Sequence, residues 1–202
     1  MTFLYVILGY VSGSVLYARV FGRLFHKRVV ADSSDRNPGA ANAFLHGGFW
    51  CGTLTLICDM LKGFLPVLLY QHFAEGLPYY RETLILVLAA PVLGHIFPLF
   101  YLFHGGKGIA VTFGVLLGMA PDILPAATLA FFFILFSVIL KVSPHFYRTL
   151  VSYGASSAAM FLLRLALPVS LGFLLITVSV FLKLHYSAEV RERPEVRLLW
   201  IR

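Results

Sequence analysis

The residues best suited to chemistry are Gly94-His95-Ile96-Phe97-Pro98 and, one apolar turn later, His104-Gly105-Gly106-Lys107-Gly108. Gly105, Gly106 and Gly108 let successive backbone N–H groups point into one concavity, and Lys107 adds a mobile positive charge, the combination that phosphate-cradling loops use. The same residues also suit a tight turn between membrane helices, which favours glycine. Both readings stay open on this stretch alone. His95 lies in an apolar run, where a lone histidine is either a hydrogen-bonded packing residue or a group that faces a site.

Two other stretches carry polar residues in a pattern. Asp32-Ser33-Ser34-Asp35-Arg36-Asn37-Pro38-Gly39-Ala40-Ala41-Asn42 is the most polar part of the chain. Pro38 suits the first turn of a short helix with Asn37 as its cap, which leaves N–H groups free at the helix start as a second candidate anion site. Asp59, Lys62, Gly63 and Pro66 follow an i, i+3, i+4, i+7 spacing and share one helical face. An isolated charge at that depth is costly, so Asp59 and Lys62 are expected to pair as scaffold or to face a cavity. Cys51 and Cys58 stand about two turns, roughly 10 Å, apart on one helix, too far for a disulfide. They read as small buried residues, and no metal site is expected.

These residues must be positioned by membrane helices. The 202 residues are 59% hydrophobic and 12% charged, against roughly 25% charged in soluble domains, and the mean hydropathy is +0.86. The expected fold is an all-α integral membrane protein, a single domain over residues 1–202. Seven transmembrane helices are expected, from Thr2 to about Arg19, Phe49 to Tyr70, Leu84 to Phe103, Ile109 to Met119, Leu124 to Leu140, Val151 to Leu167 and Val169 to Leu184. Met1 to Arg19 reads as a retained first span, and the short fourth helix as tilted, thin or partly re-entrant.

Arg19, Arg23, Lys27, Arg28 and Arg36 mark the first loop as cytoplasmic, which puts the N-terminus outside and the C-terminus in the cytoplasm. All Lys and Arg except Arg81, Arg164 and the buried Lys62 then fall on the cytoplasmic side. The net charge of +7 is explained by this topology and by anionic lipid rather than by nucleic acid. The same orientation gathers the Asp32 to Asn42 segment, the Gly-Gly-Lys-Gly loop and Ser152 on one face, as a single site requires. The tail with Arg191, Arg193, Arg197 and Arg202 reads as a solvated or headgroup-contacting extension.

The inventory lacks a nucleophile elbow, a Walker motif, a dinucleotide fingerprint and a metal-ligand cluster. What it holds suits phosphate at a membrane surface. Two classes fit: a transferase using a phosphorylated donor or acceptor, and an organophosphate transporter. A transporter is expected to show paired broken helices or repeats, and none is legible here.

The motifs also carry a resemblance. The two stretches of the first paragraph, with Ile109-Ala110, together with Asn37-Pro38-Gly39-Ala40-Ala41-Asn42 and Asp59-Met60-Leu61-Lys62-Gly63 with Pro66, resemble the bacterial acyl-phosphate-dependent glycerol-3-phosphate acyltransferase family. Gly13-Ser14-Val15 and Val151-Ser152-Tyr153-Gly154 follow in the same order, so the resemblance covers nearly the whole chain. It implies a seven-helix enzyme of the bacterial inner membrane with a cytoplasmic site. Such an enzyme moves a fatty acyl group from acyl phosphate to glycerol 3-phosphate, gives lysophosphatidic acid, and begins phospholipid synthesis. It needs no cofactor, and its partners are its two substrates and membrane lipid, with no nucleic acid and no evident protein partner.

Carried over by position, Lys107, His95 and Ser152 are the catalytic set. Gly105, Gly106, Gly108, Asn37, Gly39, Asn42, Asp35 and Arg36 hold phosphate, and Asp59 with Lys62 forms the scaffold. The chain departs from the family where Asp35 stands for a serine, Arg36 for a glycine and Ala41 for a threonine. A C-terminal Arg-His-Arg-x-Asn cluster is reduced to His185 in Leu184-His185-Tyr186-Ser187-Ala188. A carboxylate in a phosphate pocket needs a cation, and Arg36 is the expected partner of Asp35. Two alternatives stand beside this reading: an acyltransferase for a different phosphorylated acceptor, and a non-catalytic or transport-type homologue that keeps the scaffold and a phosphate pocket.

Overall fold

The computed structural model describes residues 2–187 and 193–198. Nine helices lie in this part of the chain: α1 (Thr2–Gly13), α2 (Tyr17–Leu24), α3 (Ala40–Gly47), α4 (Phe49–Ala74), α5 (Tyr80–Ile96), α6 (Ile109–Leu117), α7 (Leu124–Ile134), α8 (His145–Leu162) and α9 (Leu167–His185). A 3-10 turn at Leu99–Tyr101 follows α5, and a wide π turn at Leu135–Ile139 extends α7. The all-helical expectation is qualified by a two-residue antiparallel pair, β1 (Val142–Ser143) with β2 (Glu195–Val196). Ala188, Arg191 and Arg202 lie outside the described residues.

Among the described residues, four segments are long and apolar enough to cross a bilayer: Thr2–Leu24, Phe49–Ala74, Tyr80–Tyr101 and Leu167–His185. Their outer faces are apolar too, as Phe3, Leu4, Ile7 and Leu8 on α1 and Leu61, Leu65 and Leu69 on α4 are exposed. A surface of this kind is stable against lipid and not against water. The chain is a multi-pass membrane protein. The other three expected spans correspond to helices that are shorter or more polar. Helix α6 has 9 residues, and α8 buries Thr149, Ser152, Ser156 and Ser157 on its inner face.

Several boundaries move for local reasons. The first span is not one helix: it breaks at Ser14–Leu16, and α2 carries it on to Leu24. Helix α8 begins at His145, directly after an extended Pro144, rather than at Val151. Pro168 does not end a helix but sits in the first turn of α9, where its missing N–H costs nothing.

Helix α5 is the centre of the bundle. It buries Leu84, Val87, Leu88, Ala89, Val92 and Ile96 and packs against α1, α4, α6 and α9. Two crossings bring backbones into direct contact through glycine. At α1–α5, a Cβ on Gly13 would overlap the Pro91 carbonyl, and one on Gly94 would overlap the Tyr10 carbonyl. At α4–α6, a Cβ on Gly114 would overlap the Met60 carbonyl, and one on Gly63 would stand 2.5 Å from the Val111 carbonyl. Small residues at such crossings let dispersion and weak polar contacts act at short range, the main attraction between helices in lipid.

Overpacking at these crossings has a calculable cost. Gly13→Val or Gly114→Val should destabilise the protein by about 1–3 kcal/mol or more, because backbone rather than a flexible side chain must move. Thermal unfolding in one fixed detergent checks this. An unchanged melting temperature in both variants would show that the helices do not meet at these points.

Candidate functional site

Two cavities share a wall. The first, about 600 Å³, is lined by Arg19, Arg36, His104, Gly105, Lys183, Tyr186 and Ser187 among others. The second, about 450 Å³, is lined by Gly39, Ala40, Ala41, Asn42, Asp59, His95, Gly108 and the apolar Leu56, Ile109 and Phe113. Asp35, Asn37 and Lys107 line both.

The loop that carries Lys107 is built from the end of α5. Phe97-Pro98 cannot continue the helix, because proline lacks the N–H and restricts the residue before it. After the 3-10 turn, Leu102 and Phe103 take left-handed backbone, and the chain folds back under α5. There Gly106 N–H donates to the His95 carbonyl at 3.0 Å. A side chain on Gly105 would strike that carbonyl, and one on Gly106 would strike the His95 ring. The expectation that Gly106 offers its N–H to an anion is therefore corrected: that N–H already has a partner, and the glycines are required by close packing on α5. Gly108, at φ 82°, turns the chain into α6.

The wall is an ion pair with amide support. Lys107 Nζ donates to Asp35 Oδ2 at 3.1 Å, while Asp35 Oδ1 accepts from Asn42 Nδ2 at 2.8 Å and from the Asn37 backbone N–H at 3.1 Å. Asn42 Nδ2 also donates to the Asn37 carbonyl at 2.9 Å. Lys107 is thus the cation beside Asp35; pairing of adjacent Asp35 and Arg36 is not what the fold produces. Arg36 takes left-handed backbone at φ 49° and lines only the first cavity. Burial alone would raise the Asp35 carboxyl, but the Asn42 amide, the Lys107 ammonium and the Asn37 N–H together hold it below the usual carboxylate range.

Helix α3 starts two residues later than the sequence suggests. Gly39, not Asn37, is its cap, and no side chain caps it. Asn37 and Asn42 are occupied with Asp35 instead, and the Asn37 Oδ1 is buried with no partner among the described residues. The starts of α3 and α6 both line the second cavity, through Ala40 and Ala41 on one and Ile109 and Ala110 on the other.

Asp59 and Lys62 pair as expected, Nζ to Oδ1 at 2.8 Å, with both side chains buried. Lys62 Nζ also reaches the Val15 carbonyl at 2.5 Å and His95 Nδ1 at 2.9 Å. Ser152 does not join the site. It is fully buried, its hydroxyl stands 3.5 Å from the Phe132 carbonyl, and it lines neither cavity.

Sequence reasoning missed Arg19, Lys183 and His145. Arg19 lies over the Tyr101 ring at 5.3 Å, and its buried Nε has no hydrogen-bond partner among the described residues. Lys183 faces the first cavity, whereas His185, the residue left from the expected C-terminal cluster, lines a different pocket with Phe146 and Phe181. Helical spacing carried the signal: two residues apart on a helix, Lys183 and His185 cannot face the same way.

A family profile described as glycerol-3-phosphate acyltransferase matches residues 3–192. A curated glycerol-3-phosphate acyltransferase from Albidiferax ferrireducens is 38% identical over 157 residues, covering 77% of this chain and 65% of that protein. One from Pasteurella multocida is 39% identical over 132 residues, covering 63% of this chain and 64% of that protein. The chain thus spans less than two thirds of the length of these relatives. Among solved structures, the crystal structure of PlsY (YgiH), an integral membrane glycerol 3-phosphate acyltransferase, in its glycerol 3-phosphate form shares the fold. Its TM-score is 0.74 at 24% identity, over 90% of this chain and 87% of that one. The lysophosphatidic acid form has a TM-score of 0.70. With the profile matched along nearly the whole described chain, this protein belongs to the glycerol-3-phosphate acyltransferase family.

Proposed function

We propose that the protein moves a fatty acyl group from acyl phosphate to glycerol 3-phosphate, giving lysophosphatidic acid and inorganic phosphate. The observation that carries this reading is the shared wall: one cationic cavity and one partly apolar cavity meet at Lys107. The first suits a small water-soluble dianion, because Arg19, Arg36, Lys107 and Lys183 converge there. The second suits the phosphate and first carbons of an acyl phosphate. Two helix starts and Lys107 face the anion, and Leu56, Ile109 and Phe113 face the chain.

Acyl phosphate is already activated, so the residues need only position two substrates and stabilise charge. The acceptor hydroxyl oxygen bonds to the acyl carbon, the bond from that carbon to the bridging oxygen of the phosphate breaks, and the departing phosphate keeps that oxygen and takes the hydroxyl proton. Lys107 lies where both phosphates can be reached, and the unpartnered Asn37 Oδ1 can accept from an acceptor hydroxyl. A second reading has a specific basis: Asp35 puts a carboxylate in the wall, which favours a phosphorylated acceptor bearing an extra hydroxyl or amine. A reconstituted assay of acyl phosphate against several phosphorylated acceptors, with acyl-CoA as the rival donor, separates these. Failure with every acceptor and either donor would leave only the non-catalytic or transport-type homologue.

The topology that accompanies this function has seven spans in a bacterial inner membrane, with the N-terminus outside and the C-terminus and the site in the cytoplasm. Positive charge supports it: Arg19, Arg23, Lys27, Arg28, Arg36 and Lys107 fall on one side. Single cysteines placed at positions 33–42 and 104–108 should be shielded from an impermeant reagent in intact cells, while cysteines at 71–81 react. Equal labelling of all three regions would refute the orientation.

Lys107→Met should lower turnover by about tenfold or more, equivalent to about 1.4 kcal/mol, with folded protein retained. An unchanged rate would remove the loop from the site. Asp35 gives a pH signature. Its folded-state carboxyl is depressed, so its contribution is present above the unfolded value near about 4 and is lost as pH falls through the folded value. The melting-temperature gap between the native protein and Asp35→Asn should hold steady from about pH 5 to about pH 8 and close in stronger acid. A gap that closes near neutrality would show that another group controls the wall.

A further inference from the structure

Lys62 stands where α1, α4 and α5 meet, and an ammonium group has three hydrogens to donate and no lone pair with which to accept. Its Nζ lies 2.5 Å from the Val15 carbonyl oxygen, 2.8 Å from Asp59 Oδ1 and 2.9 Å from His95 Nδ1. The first two can only accept. The third must accept as well, because Lys62 has nothing else to offer it, so His95 Nδ1 carries no proton. The other arrangement, Nδ1–H donating to Asp59, fails on distance: Nδ1 and Asp59 Oδ1 are 3.9 Å apart, beyond hydrogen-bond range.

We propose that Lys62 locks His95 in the neutral tautomer protonated at Nε2, so that His95 is a fixed hydrogen-bond donor to a substrate oxygen in the second cavity. Nε2 is on the loop side of the ring, against Gly106. The residue lines the second cavity beside Lys107 and Gly108, and no described residue accepts from Nε2. A largely buried donor without a protein acceptor is satisfied by ligand or water. The oxygen class it suits is that of the acyl phosphate, either the carbonyl oxygen as charge develops on it or a phosphate oxygen.

This rests on the reading of the second cavity as the acyl-donor site. It assigns different work to the two residues. His95 touches substrate but cannot act as a base through Nε2, which has no lone pair in this tautomer. Lys62 touches no substrate and is a positioning residue, with Asp59 and the Val15 carbonyl holding its ammonium in place.

The tautomer can be read without turnover. Histidine-labelled protein in lipid nanodiscs, observed by 15N NMR near neutral pH without substrate, should show His95 protonated at Nε2 and bare at Nδ1. The resonances are assigned by their loss in His95→Gln. The opposite tautomer, or a doubly protonated ring, would overturn the proposal. Removing the ion pair as a unit, Asp59→Asn with Lys62→Met, avoids a stranded buried charge. It should give a mixture of tautomers, and an unchanged spectrum would show that Lys62 is not the lock.

Turnover supplies an independent arm. The Gln amide N–H can stand in for Nε2–H, so His95→Gln should keep activity within about tenfold of native, while His95→Ala should lose about a hundredfold in kcat, as for an oxyanion donor. Equal losses in both variants, each shown to be folded, would rule out the donor role. If the native protein transfers no acyl group, the function assigned above fails while the NMR result on the tautomer still stands.

Discussion

One buried positive charge constrains the centre of the bundle. Lys62 is almost wholly enclosed, and taking an ammonium out of water costs several kcal/mol unless its hydrogens find acceptors. Each acceptor comes from a different element. Asp59 is one turn back on α4. His95 projects from α5. The third is a backbone carbonyl, which an intact helix would use internally, so the first span must break for Val15 to provide it. That break has its own support, since Ser14 Oγ accepts from the Leu99 N–H at 3.2 Å and donates to the Tyr10 carbonyl at 2.8 Å. The chain after α5 is thereby tied to the chain after α1.

From this knot the site is positioned in two steps. Gly13 and Gly94 let α1 and α5 approach until Lys62 can bridge them. The end of α5 then serves as a platform for the Gly105-Gly106 turn, held by the Gly106 N–H on the His95 carbonyl. Lys107 comes directly after this clamp, so its backbone is fixed while its side chain reaches over to Asp35. A glycine loop of this kind is rigid because it is packed. Its value to a phosphate site on this reading is placement of Lys107 and of the α6 start, more than a free row of N–H groups.

How much of this was legible in the sequence depends on the range of each interaction. The Asp59, Lys62, Gly63, Pro66 stripe was legible, because it is set by helical period, and all four are buried as that period requires. Asp59 with Lys62 was legible for the same reason. The partner of Asp35 was not, since Arg36 is adjacent in the chain and Lys107 is 72 positions away. Only the fold makes the distant residue the nearer one. Asn37 was misread as a helix cap because proline after asparagine is a sound local signal, but Asp35 offers its N–H a carboxylate before α3 begins. The Gly13-Ser14-Val15 segment lies inside the first expected span. Nothing local says that a helix will open there to receive a lysine from another helix.

The protein uses the same aspartate–lysine chemistry twice, with opposite consequences. Asp59 and Lys62 are sealed, so parting them would leave an uncompensated charge, and breaking such a pair costs roughly 3–5 kcal/mol. That pair is a fixed part of the scaffold. Asp35 and Lys107 line both cavities, where water can reach either ion once they separate. Their side chains keep some solvent access, so their separation costs less than that of the sealed pair. A phosphate oxygen brings more negative charge to Lys107 than one carboxylate does, and Asp35 keeps the Asn42 amide and the Asn37 N–H when Lys107 leaves it. On the proposed function, this difference in solvent access lets Lys107 exchange its partner for substrate while Lys62, which lines neither cavity, keeps its own.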